Sequence, residues 1–287
     1  MVDLHLHSRC SDGQDTPEEL VHIAADAGIT VMALTDHDNI NGIERAQRTA
    51  EKLGIDFISG IEISAQGNRE LHILGYGVDP ESTELKQFYE DNRTHRINRR
   101  DRLIELFNKA GIPITLEKIC EVNGGQSTGR PHIARTLIEM GYAEDMQDAF
   151  DRYLKTPEFY CAERPKPTAQ EGIAMIRRAG GVAVMAHPYL LRLEDKPFRE
   201  LLEKLISFGL CGIECYYSEH TPEDVAYYRA VADEYGLIYT IGSDYHGPDM
   251  KPDIHIATGM NGSLIPYAGL GDEIAEKLLR CIKEHRM

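Results

Sequence analysis

The stretch DLHLHSRCSDG, residues 3–13, places His5 and His7 on one face of an extended segment, with Leu4 and Leu6 on the other. Two adjacent imidazoles are poor core filler, because each buried ring nitrogen needs a polar partner. Around a cation the same pair makes chemical sense. Related residues recur along the chain. Asp12 follows in the next loop, Asp36, His37 and Asp38 end ITVMALTDHD, and Glu62 closes DFISGIEIS. His72 lies in LHILGYGV, His187 precedes Pro188 in GVAVMAHP, Glu214 lies in CGIECYY, and Asp244 and His246 end LIYTIGSDYH. Each has a plain structural reading alone: His72 as a core histidine, TDHD as a turn, AHP as a strand end. Their recurrence at successive segment ends points to one site. Imidazole mixed with carboxylate suits divalent transition metals such as Zn, Mn or Fe. Six histidines (His5, His7, His37, His72, His187, His246) and three carboxylates (Asp12, Glu62, Asp244) exceed what one tetrahedral ion needs. Two or three ions are therefore expected, with Glu62 bridging a pair through its two oxygens.

These residues must be carried by elements that converge. Seven short apolar runs alternate with helical patterns at 17–27, 40–53, 168–179, 197–208 and 221–235, and Thr16-Pro17 and Thr221-Pro222 are helix-start signals. Such alternation implies βα units and a parallel sheet, closed into a barrel in preference to a doubly wound open sheet. In a βα barrel the carboxyl ends of the strands meet at one rim, so residues more than 200 positions apart can share a site. The alternation stops once. Helical patterns near 83–110, 115–122, 130–140 and 144–154 define a helical insertion over 81–165, leaving 1–80 and 166–287 for the barrel.

The chain has 287 residues, enough for one large domain or two small ones. No apolar run of transmembrane length occurs, and the amino terminus shows no basic-then-apolar leader, so a cytoplasmic location without a membrane partner is expected. Of six scattered cysteines only Cys211 and Cys215 lie close together, in GLCGIECYY, where they read as buried free thiols; the pattern is neither a disulfide scaffold nor a zinc ribbon. A net charge of −16 argues against gripping long duplex nucleic acid. The basic run NRTHRINRRDRL, 92–103, reads as a solvated helix face.

Taken in order, DLHLHSRCSDG, ALTDHD, GIEIS, LHILGYGVD, AHP and GSDYH resemble the PHP family, named for polymerase and histidinol phosphatase. The resemblance implies an α/β fold, a distorted seven-stranded (β/α) barrel with a trinuclear metal centre at its carboxyl rim. It places His5, His7, Glu62 and Asp244 around a first ion. Glu62 bridges to a second, completed by His72 and His187, while Asp12, His37 and His246 hold a third. Several family members have histidine where this chain has Asp12. The insertion between His72 and His187 resembles that of bacterial phosphoesterases acting on nucleotides. Members of that branch dephosphorylate nucleoside 3′,5′-bisphosphates, open cyclic phosphates or trim short RNA from the 5′ end. STGRPHIAR, 127–135, matches that branch's motif and implies Arg130 and His132 as phosphate contacts, a role suited to a planar guanidinium. Two departures stand out. Glu158-Phe159 replaces a Gly-basic pair, and Tyr189-Leu190-Leu191-Arg192 follows AHP in place of Gly-Arg-Tyr, leaving Arg192 as a shifted substitute.

The implied chemistry is phosphate-ester hydrolysis by a metal-bridged hydroxide, with Glu62 and Asp244 at the catalytic centre. His132, Asp38 or a water is expected to protonate the leaving group. The acidic balance favours a small nucleotide or short oligonucleotide as substrate. Three alternatives are a metal-dependent amidohydrolase, a histidinol-phosphate-type phosphatase and a non-catalytic metal-binding module. Asp12 and the insertion disfavour the second, and nine filled ligand positions disfavour the third.

Overall fold

The computed structural model describes residues 1–67, 70–123, 129–159, 165–258 and 270–286. The chain forms two compact units, Met1–Gln87 with Lys166–Met287, and Phe88–Pro165. The strands are β1 (Val2–Asp3), β2 (Val31–Leu34), β3 (Asp56–Ser64), β4 (His72–Tyr76), β5 (Val182–Met185), β6 (Leu210–Tyr217) and β7 (Ile238–Gly242). They form one sheet in the order β1 to β7. The helices of the chain are α1 (Pro17–Asp26), α2 (Ile43–Leu53), α3 (Thr83–Lys109), α4 (Leu116–Asn123), α5 (Arg130–Glu139) and α6 (Met146–Ala149). They continue with α7 (Ala169–Arg178), α8 (Asp195–Phe208), α9 (Pro222–Tyr235) and α10 (Leu270–Arg286).

In the first unit, β2 and β5 are buried at every position, as strands covered on both faces must be. The apolar stripes of α1 and α2 supply part of the cover: Leu20, Val21, Ala46 and Ala50 pack with Met32 and Leu34. Thr16, Thr168 and Thr221 each start a helix through a reciprocal capping box, with Glu19, Glu171 and Asp224. Each cap contributes about 1 kcal/mol and fixes where the preceding loop ends. The sheet curls back on itself beyond β1. Leu4 N–H donates to Ile241 O at 3.0 Å, Asp244 N–H to His5 O at 2.9 Å, and His7 N–H to Tyr245 O at 3.0 Å. The extended run after β1 thus joins the end of β7, closing a seven-stranded α/β barrel.

One strand departs from the parallel sheet expected. β4 is antiparallel to both β3 and β5. The reason is the link: only residues 65–71 join β3 to β4, and a parallel crossover needs a dozen or more residues. A hairpin follows, and β4 presents its amino end at the rim where its neighbours present their carboxyl ends. His72, the first residue of β4, reaches the site by this reversal.

The second unit is helical and has its own core, in which Phe107, Ile119, Ile133 and Leu137 are buried with Phe159. The Phe107 and Phe159 rings stack at 4.4 Å. Along α3, Arg93 pairs with Glu90 and Arg102 with Glu105, all four side chains more than half exposed, as a solvated face requires. Ser127 and Thr128 of STGRPHIAR, and Cys161, lie outside the described residues. No helix among the described residues is long and apolar enough to cross a membrane.

Candidate metal centre

The loop after β1 is fixed before any ligand is considered. Asp3, fully buried, accepts hydrogen bonds from Ser243 N–H at 3.0 Å and Ala257 N–H at 2.8 Å, tying the first strand to the loop after the seventh. Asp36 accepts from Ser8 N–H and Ser8 Oγ, both at 2.7 Å, and from Ser11 Oγ at 2.6 Å. Gly13 closes this turn where a Cβ would stand 2.3 Å from His7 O, so only glycine fits. Three residues at the rim hold left-handed backbones that side chains disfavour: Asp38 (φ 51°), His187 (φ 24°) and Asp244 (φ 57°). Strain of this kind, about 1–3 kcal/mol per residue, persists where surrounding contacts over-determine the conformation.

The nine side chains singled out in the sequence converge here. His5 Nε2 and His7 Nε2 lie 3.1 Å apart. Glu62 Oε2 is 3.3 Å from His5 Nε2 and 3.2 Å from His7 Nε2, and Asp244 Oδ1 is 3.5 and 3.1 Å from the same two atoms. The other oxygen of Glu62, Oε1, is 3.0 Å from His72 Nδ1 and 2.9 Å from His187 Nε2, which are 3.2 Å from each other. Asp12 Oδ1 stands 3.4 Å from His246 Nε2, and Asp12 Oδ2 stands 3.9 Å from His37 Nε2. Ligand atoms of His7, Asp12, His37 and His246, of His5, His7 and Asp244, and of His37, Glu62 and His72 form groups able to hold an ion.

The spacing itself tests the fit. Ligands about 2.0–2.2 Å from one ion are separated by edges of roughly 3–3.6 Å, the range in which most of these atoms meet. Hydrogen bonding leaves part of the set unsatisfied: His7 Nδ1 and Asp12 Oδ1 are buried atoms without a hydrogen bond. Buried polar atoms of this kind need a partner, and a shared cation supplies one.

The protonation pattern of the clustered side chains is equally unusual. Burial alone would raise the Glu62 carboxyl, yet His37, His5 and His72 hold it well below the ordinary range. Asp12 and Asp244 are likewise held low against burial, by His37 and His246 in one case and by Lys251 and His5 in the other. Burial opposes charge on His7, but hydrogen bonds with Asp244 and Glu62 lift it to about 9. Burial wins at His37, which falls to about 3. Ionised carboxylates therefore face a mixture of protonated and neutral rings, and an arriving cation would displace the protons.

Three supporting residues had no assigned role in the sequence. Glu214, fully buried on β6, accepts from His187 N–H through Oε2 at 2.7 Å and meets His5 Nδ1 through Oε1 at 2.9 Å. It orients His5 so that Nε2 faces the cluster. Lys251 and Tyr217 both reach Asp244 Oδ2, at 2.5 and 3.1 Å. A buried carboxylate in the apolar run CGIECYY was a visible signal for Glu214, whereas Tyr217 and Lys251 gave none.

The remaining candidates are placed as follows. Asp38 accepts from Ser64 N–H at 3.0 Å and Ser64 Oγ at 3.1 Å, so it braces the rim. Arg130 opens α5 in the second unit, and His132 Nδ1 accepts from Gly129 N–H at 3.2 Å. Arg192 follows a short 3₁₀ turn, Pro188–Leu191, and lies 4.4 Å over the Tyr189 ring.

A family model described as PHP domain matches residues 3–286. The chain is 33% identical to a 3′,5′-nucleoside bisphosphate phosphatase of Chromobacterium violaceum, over 86% of this chain and 87% of that protein. It is 33% identical to a 5′-3′ exoribonuclease of Haemophilus influenzae, over 86% of this chain and 90% of that one. A solved structure from Bifidobacterium adolescentis, provisionally assigned as a metal-dependent phosphoesterase, superposes with a TM-score of 0.78 at 29% identity, covering 98% of this chain and 96% of the other.

Proposed function

The chain belongs to the PHP domain family and is a phosphoric ester hydrolase, and we propose that it acts on small phosphorylated nucleotides with two or three divalent metal ions, Mn, Fe or Zn. One observation carries this reading. The two oxygens of Glu62 face different histidine sets, His5, His7 and His37 through Oε2 and His72 and His187 through Oε1, the arrangement expected of a carboxylate shared between ions. His5, His7, Glu62 and Asp244 would hold the first ion, His72 and His187 the second, and Asp12, His37 and His246 the third.

When bound, such ions lower the pKa of water toward neutrality and offset the charge that builds on phosphate oxygens. The chain's own residues do the positioning. Glu214 fixes the proton of His5 on Nδ1, and the backbone bond to His187 N–H keeps that ring aimed at Glu62. Complete burial of His5, His7 and Glu62 excludes bulk water from the inner wall, which strengthens every interaction made there. Arg130 and His132 are proposed to hold a substrate phosphate, and His132 to supply the leaving-group proton. Arg192 is proposed as a further phosphate contact.

Substrate size follows from charge. A protein of net charge −16 repels long polyanions, so nucleoside 3′,5′-bisphosphates, cyclic phosphates and 5′-ends of short oligonucleotides are favoured over duplexes. The test is hydrolysis of these three substrate classes by protein reconstituted with Mn, Fe or Zn, read as free phosphate from the bisphosphates and, by chromatography, as opened monoester from the cyclic phosphates and mononucleotide from the short oligonucleotides. Hydrolysis of a bisphosphate or a short oligonucleotide is expected. No product from any class with any of the three metals would overturn the assignment.

A further inference from the structure

We propose that Lys251 is a substrate-binding residue, whose ammonium takes a non-bridging oxygen of the phosphate presented to the metal cluster. The inference rests on the phosphoesterase reading and adds to it a contact from a loop that the sequence left without a role. Lys251 Nζ lies 2.5 Å from Asp244 Oδ2, the oxygen turned away from His5 and His7. Among the described residues Asp244 is its one hydrogen-bond partner, so an ammonium with three donors keeps two in reserve. The side chain is 30% exposed where Asp244 is 6% exposed, which puts this cation on the open side of a buried site.

The position is built. Lys251 N–H and Met250 N–H both donate to Gly247 O, at 2.9 and 3.1 Å, forming a tight turn directly after His246. Gln14 clamps that turn to the loop carrying Asp12, accepting from Asp249 N–H at 3.0 Å and donating to Asp249 Oδ2 at 3.0 Å. The segment delivering Lys251 is therefore tied to both ends of the site.

Charge accounting gives the ligand class. Asp244 and, more weakly, Glu219 act on the charge of Lys251. Once Asp244 Oδ1 serves a divalent ion its negative charge would be shared, and Glu219 would leave part of the ammonium's charge unmet at the mouth. A phosphate oxygen is the anion on hand. Tyr217 Oη stands 3.1 Å from the same Asp244 oxygen and 3.0 Å from Glu219 Oε1, so its one proton can pass to Asp244 when Lys251 turns toward substrate.

The experiment compares wild type, K251M and K251R, each loaded with Mn. It reads bound metal per chain, kcat and KM with a nucleoside 3′,5′-bisphosphate, and calorimetric Kd for inorganic phosphate. For K251M, KM and the phosphate Kd should each rise about ten- to a hundredfold, the value of one hydrogen bond between charged groups. Metal content should stay at the wild-type level, and K251R should recover most of the loss. An unchanged KM and phosphate Kd in K251M would overturn the proposal. So would a fall in bound metal at unchanged KM, since Lys251 would then serve the metal site alone. Thermal melting of each variant guards against misfolding, with K251Q, which also removes the charge, carrying the same expected rise in KM and phosphate Kd if K251M fails to fold. If wild type itself hydrolyses none of the three substrate classes with Mn, Fe or Zn, the phosphoesterase reading fails; an active wild type with an unaffected K251M sinks only Lys251.

Discussion

Replacing Glu214 with glutamine tests whether the ring state of His5 is set from behind the cluster. For His5 to offer Nε2 to a cation, Nδ1 must carry the proton, and Glu214 Oε1 at 2.9 Å is placed to accept it. Oε2 meanwhile accepts from His187 N–H at 2.7 Å, holding a residue whose φ of 24° and ψ of 60° need that support. A glutamine amide has the same size but only one acceptor oxygen. With that oxygen on His187 N–H, the amide NH₂ faces His5 Nδ1 and drives the ring proton to Nε2, the atom meant for the metal. With the amide flipped, NH₂ meets N–H and His187 loses its support.

Either arrangement forfeits one buried hydrogen bond to a charged group, worth about 1.5–3 kcal/mol, or roughly ten- to a hundredfold in binding. Outer partners of ligating histidines have effects of this size. The assay is competition for Mn or Zn against a chromophoric chelator, with turnover measured at saturating metal. E214Q should bind metal about ten- to a hundredfold more weakly, and turnover should recover in part as metal is raised. An E214Q protein with wild-type metal affinity would refute the tautomer argument, whatever its activity.

Glu62→Gln removes the shared carboxylate, so phosphate release should fall by more than about a hundredfold while circular dichroism stays native; retained turnover would count against a bridged pair. Proton linkage gives a pH dependence. His7 is lifted from 6.5 to about 9, so its proton stabilises the metal-free fold fully below about pH 6.5 and progressively less as pH rises through about 9. Metal needs the neutral ring, so affinity should climb from pH 6 to 9 with protons released on loading, as calorimetry in buffers of differing ionisation enthalpy would show; a flat profile contradicts the assignment. At Gly242 an added Cβ would stand 2.2 Å from His5 Cβ and 2.6 Å from Glu214 Oε1, so G242A should weaken metal binding and cost about 1–3 kcal/mol of stability on thermal melting. Metal loading at about a hundred times Kd should add about 2.7 kcal/mol, raising Tm by several degrees, and chelation should reverse the shift.

Residue type made the inner layer of the cluster legible. His5 and His7 alternate with Leu4 and Leu6, and a period of two reveals their common face before any fold is known. The barrel was legible from the alternation of apolar runs with helix-start signals. The sense of β4 was misread, although its cause lay in the sequence: residues 65–71 cannot cross over. Connection length outranks the general pattern of alternation wherever the two conflict.

The outer layer was hidden for a different reason. Glu214, Tyr217 and Lys251 act through which of two oxygens or nitrogens they meet, and nothing in residue type fixes that choice. Tyr217 ends an apolar strand as any tyrosine could, and Lys251 sits in an irregular turn among acidic residues. Composition even pointed away from Lys251, since a net charge of −16 suggests a surface hostile to anions. The conflict dissolves once charge is considered by place rather than by sum. Acidic side chains gathered at one rim make a strong site for divalent ions, and bound ions would offset the charge of the carboxylates that they share. Among the proposed ligands, the three carboxylates Asp12, Glu62 and Asp244 carry about three negative charges against as many as six positive from three ions, while the oxygens of Asp3, Asp36, Asp38 and Glu214 behind them are taken up by hydrogen bonds. An acidic chain can therefore attract a phosphate at the one spot where its acids are already spent on metal.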